Sequence, residues 1–454
     1  MKYDIAIIGG GPGGYTAAEY AAKNGLSVVL FECDEIGGTC LNRGCIPTKA
    51  LIHSAEAYKE MKKSAFMGIE AADVTYDFAK MHERKTEVVA TLRAGIEKLL
   101  KTGKVNVVKA FAKIVSHGEN GVTVEADGEI YEANDVIIAT GSVPAVPPIK
   151  GHDSDGVYTS NEILENSGKS FDSLVIIGGG VIGCECASIY LDLGCKVTII
   201  EAMEHILPPM DREIAQRLTM FLKKQGAEII IGAKVSEIQN DGGTMKVSYT
   251  DKKGAECQAE AQGVLIATGR KANTEGVFGE GIDIATERGA VVADETGKTA
   301  LSHIYVIGDA KSRNIQLAHV AEAQGKNAVA AIMGKDLPVD MNVIPSCIYT
   351  SPEIASVGMT EDEAKSAGIS VKSKKYLTGA NGKCVIENSE SGYVKVVTDS
   401  ETQKILGAQL VCPRATDMVA EFALAIFKGM TTEDIASVIH PHPTFCEMIL
   451  GACE

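Results

Sequence analysis

Two cysteines five positions apart, Cys40 and Cys45, lie in the segment Gly37-Gly38-Thr39-Cys40-Leu41-Asn42-Arg43-Gly44-Cys45-Ile46-Pro47-Thr48-Lys49. A disulfide between them would close so small a ring that its effect on the unfolded chain is worth only about 2 kcal/mol. Its use would be chemical rather than structural. In an ideal helix the two Cα atoms would stand roughly 8 to 9 Å apart, beyond the limit of about 7 Å for a disulfide. The backbone must therefore bend between them, and Gly44 is the residue free to do it.

The chain has twelve cysteines. Most lie scattered in apolar stretches, which reads as reduced, buried thiols in a reducing compartment. That is the expectation for Cys33, Cys184, Cys186, Cys195, Cys257, Cys347, Cys384 and Cys412. Cys184 and Cys186 would lie about 200° apart on a helix. No cysteine and histidine spacing resembles a zinc site.

Something must hold the Cys40–Cys45 segment, and an internal echo shows what. Ile7-Ile8-Gly9-Gly10-Gly11-Pro12-Gly13-Gly14 is followed by Val28-Val29-Leu30-Phe31-Glu32. Ile176-Ile177-Gly178-Gly179-Gly180-Val181-Ile182-Gly183 is followed by Val197-Thr198-Ile199-Ile200-Glu201. The offset is 169 residues both at the glycines and at the acidic residue. In each copy the first glycine makes the tight turn, the second admits a pyrophosphate, and the third lets helix and strand pack closely. The helix N-terminus presents free N–H groups to phosphate. The carboxylate of Glu32 or Glu201 accepts from ribose hydroxyls. Two complete copies predict two dinucleotide sites, built on Gly9, Gly11, Gly14 and Glu32, and on Gly178, Gly180, Val181, Ile182, Gly183 and Glu201. Glu201 would repel a 2′-phosphate, and no arginine follows it closely, so NAD is favoured over NADP.

A second echo pairs Val136-Ile137-Ile138-Ala139-Thr140-Gly141 with Val264-Leu265-Ile266-Ala267-Thr268-Gly269. The fold is therefore α/β, with two Rossmann-like units. The expected division is 1–147, 148–269, a central segment 270–338 completing the first site, and 339–454. The proline-rich run Val143 to Pro148 reads as a linker. After Pro338, runs such as Gly392–Val397 and Ile405–Leu410 around a polar turn predict an antiparallel sheet. Thr416–Phe427 reads as a helix with Val419, Phe422, Ala423, Ile426 and Phe427 on one face, serving either core or a subunit interface.

At 454 residues there is chain for three or four domains. A net charge of −16 argues against nucleic acid. No apolar run approaches the roughly 20 residues that span a membrane. A strand pattern begins almost at once, with no signal peptide before it, so a cytoplasmic protein is expected.

Taken together, these motifs resemble the flavoprotein disulfide reductases over essentially the full length, and most closely those that oxidise dihydrolipoamide. The resemblance rests on the first fingerprint, Cys40 to Pro47, Ala139-Thr140-Gly141-Ser142, the second fingerprint, Gly308-Asp309, and His440-Pro441-His442-Pro443-Thr444-Phe445-Cys446-Glu447. It implies FAD at the first fingerprint and NAD at the second. Thr140, Gly141, Ser142 and Ala110 would border FAD, Asp309 its ribityl chain, and the backbone of Gln316, Leu317, Ala318 and His319 its isoalloxazine. Lys49 would sit near the flavin and pair with Glu185. Val235 and Gly269 would border NAD. The resemblance further implies a Cys40–Cys45 disulfide that relays electron pairs from substrate to FAD, which then reduces NAD. His442 would be the base that makes the substrate thiolate, with Glu447 orienting its ring. In this family that histidine comes from the other subunit of a homodimer, related by a two-fold axis with a C-terminal interface domain. The partner would be a lipoylated carrier of a 2-oxoacid dehydrogenase or glycine-cleavage system, supplied on a separate chain. The alternative is an NAD(P)H-dependent reductase of another small disulfide. A scaffold without activity is disfavoured because every catalytic position is filled.

Three positions depart from the pattern. Arg43 stands where many relatives have an apolar residue, and a nearby cation would favour a thiolate. Cys446 stands where serine is common and reads as a small buried residue. Cys453 is single where mercuric reductases carry a vicinal pair, which argues against mercury chemistry.

Overall fold

The computed structural model describes residues 2–165 and 169–454. Met1 and residues 166–168, which fall within the two expected nucleotide-binding units, lie outside the described residues. The first sheet is centred on strand Lys2–Ile8, which pairs in parallel with Val28–Phe31 on one side and Glu129–Ile138 on the other. Asn106–Val108 extends one edge, and Ile304–Val306 joins Glu129–Ile138 in parallel. Ile5, Ala6 and Ile7 are wholly buried, as strands covered by helices on both faces must be.

The second sheet repeats the plan. Strand Ser173–Ile177 lies between Lys196–Glu201 and Gly263–Ile266, with Glu228–Ile231 and Val157–Thr159 at the edges, all parallel. The two apolar echoes of the sequence thus occupy the same position, beside the fingerprint strand. The Val143–Pro148 run is more than a linker. Ser142–Pro144 pairs antiparallel with Arg270–Ala272, making a two-stranded ribbon where the chain crosses between the sheets.

The tightest point of each unit is its third glycine. A Cβ on Gly14 would overlap the Gly9 carbonyl oxygen, and one on Gly183 the Gly178 carbonyl oxygen. Neither obstacle is a movable side chain. Gly14→Ala is therefore expected to cost about 1–3 kcal/mol in overpacking, read as a lowered Tm. An unchanged Tm would show that helix and strand can separate there freely.

The C-terminal sheet has five antiparallel strands in the order Ser346–Ile348, Ile354–Gly358, Ile405–Val411, Tyr393–Asp399, Val371–Leu377. Helix Ala415–Lys428 covers it with Met418, Val419, Phe422 and Ala425. Of the expected stripe, Val419 and Phe422 are buried and Ala423 and Ile426 pack against the core, while Phe427 is half exposed beside Leu424, where the subunit-interface alternative stays open. Phe427 is five residues past Phe422, about 140° around the helix.

Candidate active site

One cavity of about 2080 Å³ runs along both nucleotide units. That is roughly twice the upper end for a site holding a single small ligand. Glycines 9, 11, 178 and 180 line it. Helices Pro12–Lys23 and Val181–Asp192 both start there on a glycine, with no side chain capping the first turn. Their unpaired N–H groups and positive dipole ends are left for an anion. Glu32 accepts from the Gly10 amide at 2.7 Å and from the Asp34 amide at 2.9 Å. Glu201 repeats this with the Gly179 amide at 2.6 Å and the Met203 amide at 2.7 Å. Each carboxylate orients its own turn and keeps lone pairs over for ribose hydroxyls.

The residues expected around FAD converge on the same cavity: Ala110, Thr140, Gly141, Ser142, Asp309, Gln316, Leu317, Ala318 and His319. Asp309 accepts from the Ser142 hydroxyl at 2.5 Å. The Thr140 hydroxyl oxygen is buried without a hydrogen-bond partner among the described residues, as suits a wall built for a polar ligand. Helix Ala318–Ile332 adds another N-terminus with no side-chain cap. The His319 ring hydrogen-bonds the Pro345 carbonyl at 2.9 Å. Val235 and Gly269 line the second half of the cavity. The uncapped helix starts, the glycine cradles and the orphaned Thr140 hydroxyl fit two dinucleotides.

Between the halves lie the two cysteines. Helix Gly38–Arg43 ends at Gly44, and a new helix, Cys45–Lys62, starts there. A Cβ on Gly44 would come within 2.9 Å of the Thr39 carbonyl oxygen, so the bend needs glycine. Both cysteines are free thiols in hydrogen-bond contact, rather than the expected disulfide. The bond from Cys40, and after it the Lys49 ammonium, hold the Cys45 thiol below its ordinary value against burial. That same bond, with burial, pushes the Cys40 thiol far up. The two shifts run in opposite directions, so the pair favours a thiolate at Cys45 over one at Cys40.

Lys49 Nζ lies 2.9 and 2.8 Å from the two carboxylate oxygens of Glu185. Glu185, on the second fingerprint helix, also accepts from the Tyr349 amide at 3.0 Å. The Tyr349 ring lies under the lysine, 4.6 Å from Nζ to its centroid. The sequence reading missed Tyr349, which no motif marks. It also missed Arg270, although Arg270 directly follows the Thr268-Gly269 echo.

Arg43 corrects the expectation placed on it. It is ion-paired with Asp34 and Glu165, each at 2.5 Å, and lies 3.9 Å from Glu35. Carboxylates take up its charge, and Lys49 is the cation that acts on Cys45. Cys33 is another correction. It is exposed on the cavity wall rather than buried, and Cys257 and Cys347 are only partly covered. Cys446 is partly covered and packs against the C-terminal core, and Cys453 is buried within it.

His442 and Glu447 meet each other but not the thiols. The imidazole Nδ1 lies 2.8 Å from Glu447 Oε1, and the other carboxylate oxygen accepts from the Thr444 amide at 2.9 Å. The bond to His442 holds the Glu447 carboxyl below its usual range. The His442 side chain is 77% exposed, and neither residue lines the cavity. Ile439 nearby is 96% exposed.

The two nucleotide units, the thiol pair and the C-terminal sheet define a nucleotide-dependent disulfide oxidoreductase. Residues 3–325 match the pyridine nucleotide-disulphide oxidoreductases, and residues 344–453 match the dimerisation domain of the same proteins. The chain belongs to this family, its cofactors are FAD and NAD, and its dimerisation domain supports a homodimer. It is 41% identical to dihydrolipoyl dehydrogenases of Bacillus subtilis (strain 168) and Geobacillus stearothermophilus, covering 99% and 100% of this chain and 96% of each relative. The solved structure of LpdA from Mycobacterium tuberculosis superposes with a TM-score of 0.91 at 25% identity over 99% of both chains. The HOCl-induced flavoprotein disulfide reductase RclA from Escherichia coli superposes with a TM-score of 0.88 at 30% identity over 99% of both chains. Among the described residues, no helix is long and apolar enough to cross a membrane.

Proposed function

We propose that this chain oxidises protein-bound dihydrolipoamide with NAD, as a cytoplasmic homodimer serving the lipoylated carrier of a 2-oxoacid dehydrogenase or glycine-cleavage system. The observation that carries this reading is the Cys40–Cys45 pair beside the Lys49–Glu185 ion pair, in one cavity with both fingerprints. The full-length likeness to dihydrolipoyl dehydrogenases supports the substrate.

Each residue then has a task. His442 of one protomer takes the proton from a substrate thiol, and Glu447 holds the ring and balances the imidazolium. The substrate thiolate attacks Cys40 of the oxidised pair. The Cys40–Cys45 bond breaks, and Cys45 leaves as a thiolate facing the Lys49 ammonium. His442 passes its first proton to solvent and takes the one on the second substrate thiol, whose thiolate attacks the mixed disulfide. It closes the cyclic product and releases Cys40, whose proton comes from His442. FAD and NAD, when bound, would supply the two-electron chemistry that returns the Cys40–Cys45 dithiol to the disulfide. Gly9, Gly11, Gly14, Glu32, Lys49, Ala110, Thr140, Gly141, Ser142, Asp309 and residues 316–319 would hold FAD. Gly178, Gly180, Val181, Ile182, Gly183, Glu185, Glu201, Val235 and Gly269 would hold NAD.

Steady-state assays with dihydrolipoamide and with reduced glutathione, each with NAD and NADP, test the proposal. Turnover is expected with dihydrolipoamide and NAD. Absence of turnover with dihydrolipoamide would refute it. Glu201 opposite a 2′-phosphate should cost several kcal/mol, hence a preference for NAD of about 100-fold or more. Glu201→Ala should narrow that ratio at least tenfold, by roughly 1.4 kcal/mol or more. An unchanged ratio would place the discrimination elsewhere.

A further inference from the structure

The crossing ribbon between the two sheets carries a cation that the mechanism above does not use. Arg270 is partly buried on the cavity wall. Its Nε donates to the Ser142 hydroxyl at 2.7 Å, and one terminal nitrogen donates to the Ser142 carbonyl at 2.6 Å. The same nitrogen lies 3.4 Å from the hydroxyl of Thr39, the residue before Cys40. The Ser142 hydroxyl in turn donates to Asp309 at 2.5 Å. The guanidinium thus reaches a carboxylate through a hydroxyl, unlike Arg43, which pairs with carboxylates directly. A planar fork locked on both sides of one residue cannot swing away.

We infer that Arg270 is a positioning residue that ties the redox helix to the crossing ribbon and sets the redox poise of the Cys40–Cys45 pair. Reduction of the disulfide takes two electrons and one proton and gives one thiol and one thiolate, so it creates one negative charge. A fixed cation nearby stabilises that product and draws the equilibrium toward the dithiol. Burial holds Arg270 below its ordinary value, opposed first by Asp309 and then by the Cys45 thiolate. The other groups facing the thiolate are Cys40, Lys49, Glu185 and, more distantly, Tyr15. This is the role that the sequence suggested for Arg43, transferred to a residue 227 positions further on.

The inference rests on the pair cycling between dithiol and disulfide, and not on which disulfide it serves. The test is equilibration of the FAD-loaded dimer in buffers of reduced and oxidised dithiothreitol. Alkylation and mass measurement then give the dithiol-to-disulfide ratio of the Cys40–Cys45 peptides. Arg270→Gln should lower that ratio about tenfold at a given buffer, or about 30 mV for a two-electron couple. Arg270→Lys, which keeps the charge, should stay within about threefold of the parent, or ~15 mV. A parental ratio in Arg270→Gln would overturn the inference. So would a tenfold shift in Arg270→Lys, which carries the test alone if the glutamine variant does not hold its flavin. Failure to turn over dihydrolipoamide would leave this measurement untouched.

Discussion

Cys45→Ser should lower dihydrolipoamide oxidation by about 10⁴-fold or more, the scale on which single members of a reacting unit act. Serine keeps the size of the side chain, so the loss would be chemical. Cys40 would remain a lone thiol, which a substrate thiolate cannot attack, because no disulfide could form within the chain. The bond from Cys40 and the Lys49 ammonium, which favour a thiolate at position 45, would have no thiol to act on. The variant should fold and stay yellow, because the glycine cradles and the Asp309–Ser142 contact are unaffected. A flavin-loaded Cys45→Ser protein with parental activity would end the relay proposal.

The second large effect is expected at His442. His442→Gln should cost about 10²–10⁴-fold in turnover, the range for a positioned general base. Glu447→Gln should cost less, since the amide can still accept a hydrogen bond from the ring while losing the charge that balances an imidazolium. Glu447 also fastens its own loop through the Thr444 amide, so its variant should be checked for Tm as well as rate. Neither change should disturb FAD content, because neither residue lines the cavity. A His442→Gln enzyme with full activity would require a different proton acceptor.

Much of this arrangement is legible in the chain, and the reasons are local. Glycines at a strand-to-helix turn and a carboxylate at the next strand end depend on residues close in sequence, so both fingerprints and both acidic residues could be read directly. The need for a bend at Gly44 followed from helix geometry alone. What could not be read depends on long-range packing. Arg43 looks like an activating cation beside two cysteines, but Glu165, 122 residues away, helps to neutralise it. Tyr349 reaches Lys49 from the C-terminal sheet, and nothing in its own segment signals that. Phe427 stands about 140° around the helix from Phe422, so one chain alone leaves it half exposed, and the sequence pattern could not say whether a core or a second chain covers it. Cys33 follows Glu32 at a strand end where the chain turns into the cavity wall, so an apolar neighbourhood in sequence did not mean burial in space.

The separation of His442 from the thiols within one protomer leads to the most direct test of the account. Cys45→Ser and His442→Gln chains, each inactive as a homodimer, should be co-expressed with different tags and the mixed dimer isolated. If the base serves the partner's cysteines, one of the two sites receives an intact pair from one chain and an intact histidine from the other. The mixed dimer should then show about half of the parental activity per dimer. A mixed dimer as inactive as its two parents would contradict the account, since it would mean that the cysteines and the histidine of each site belong to a single chain.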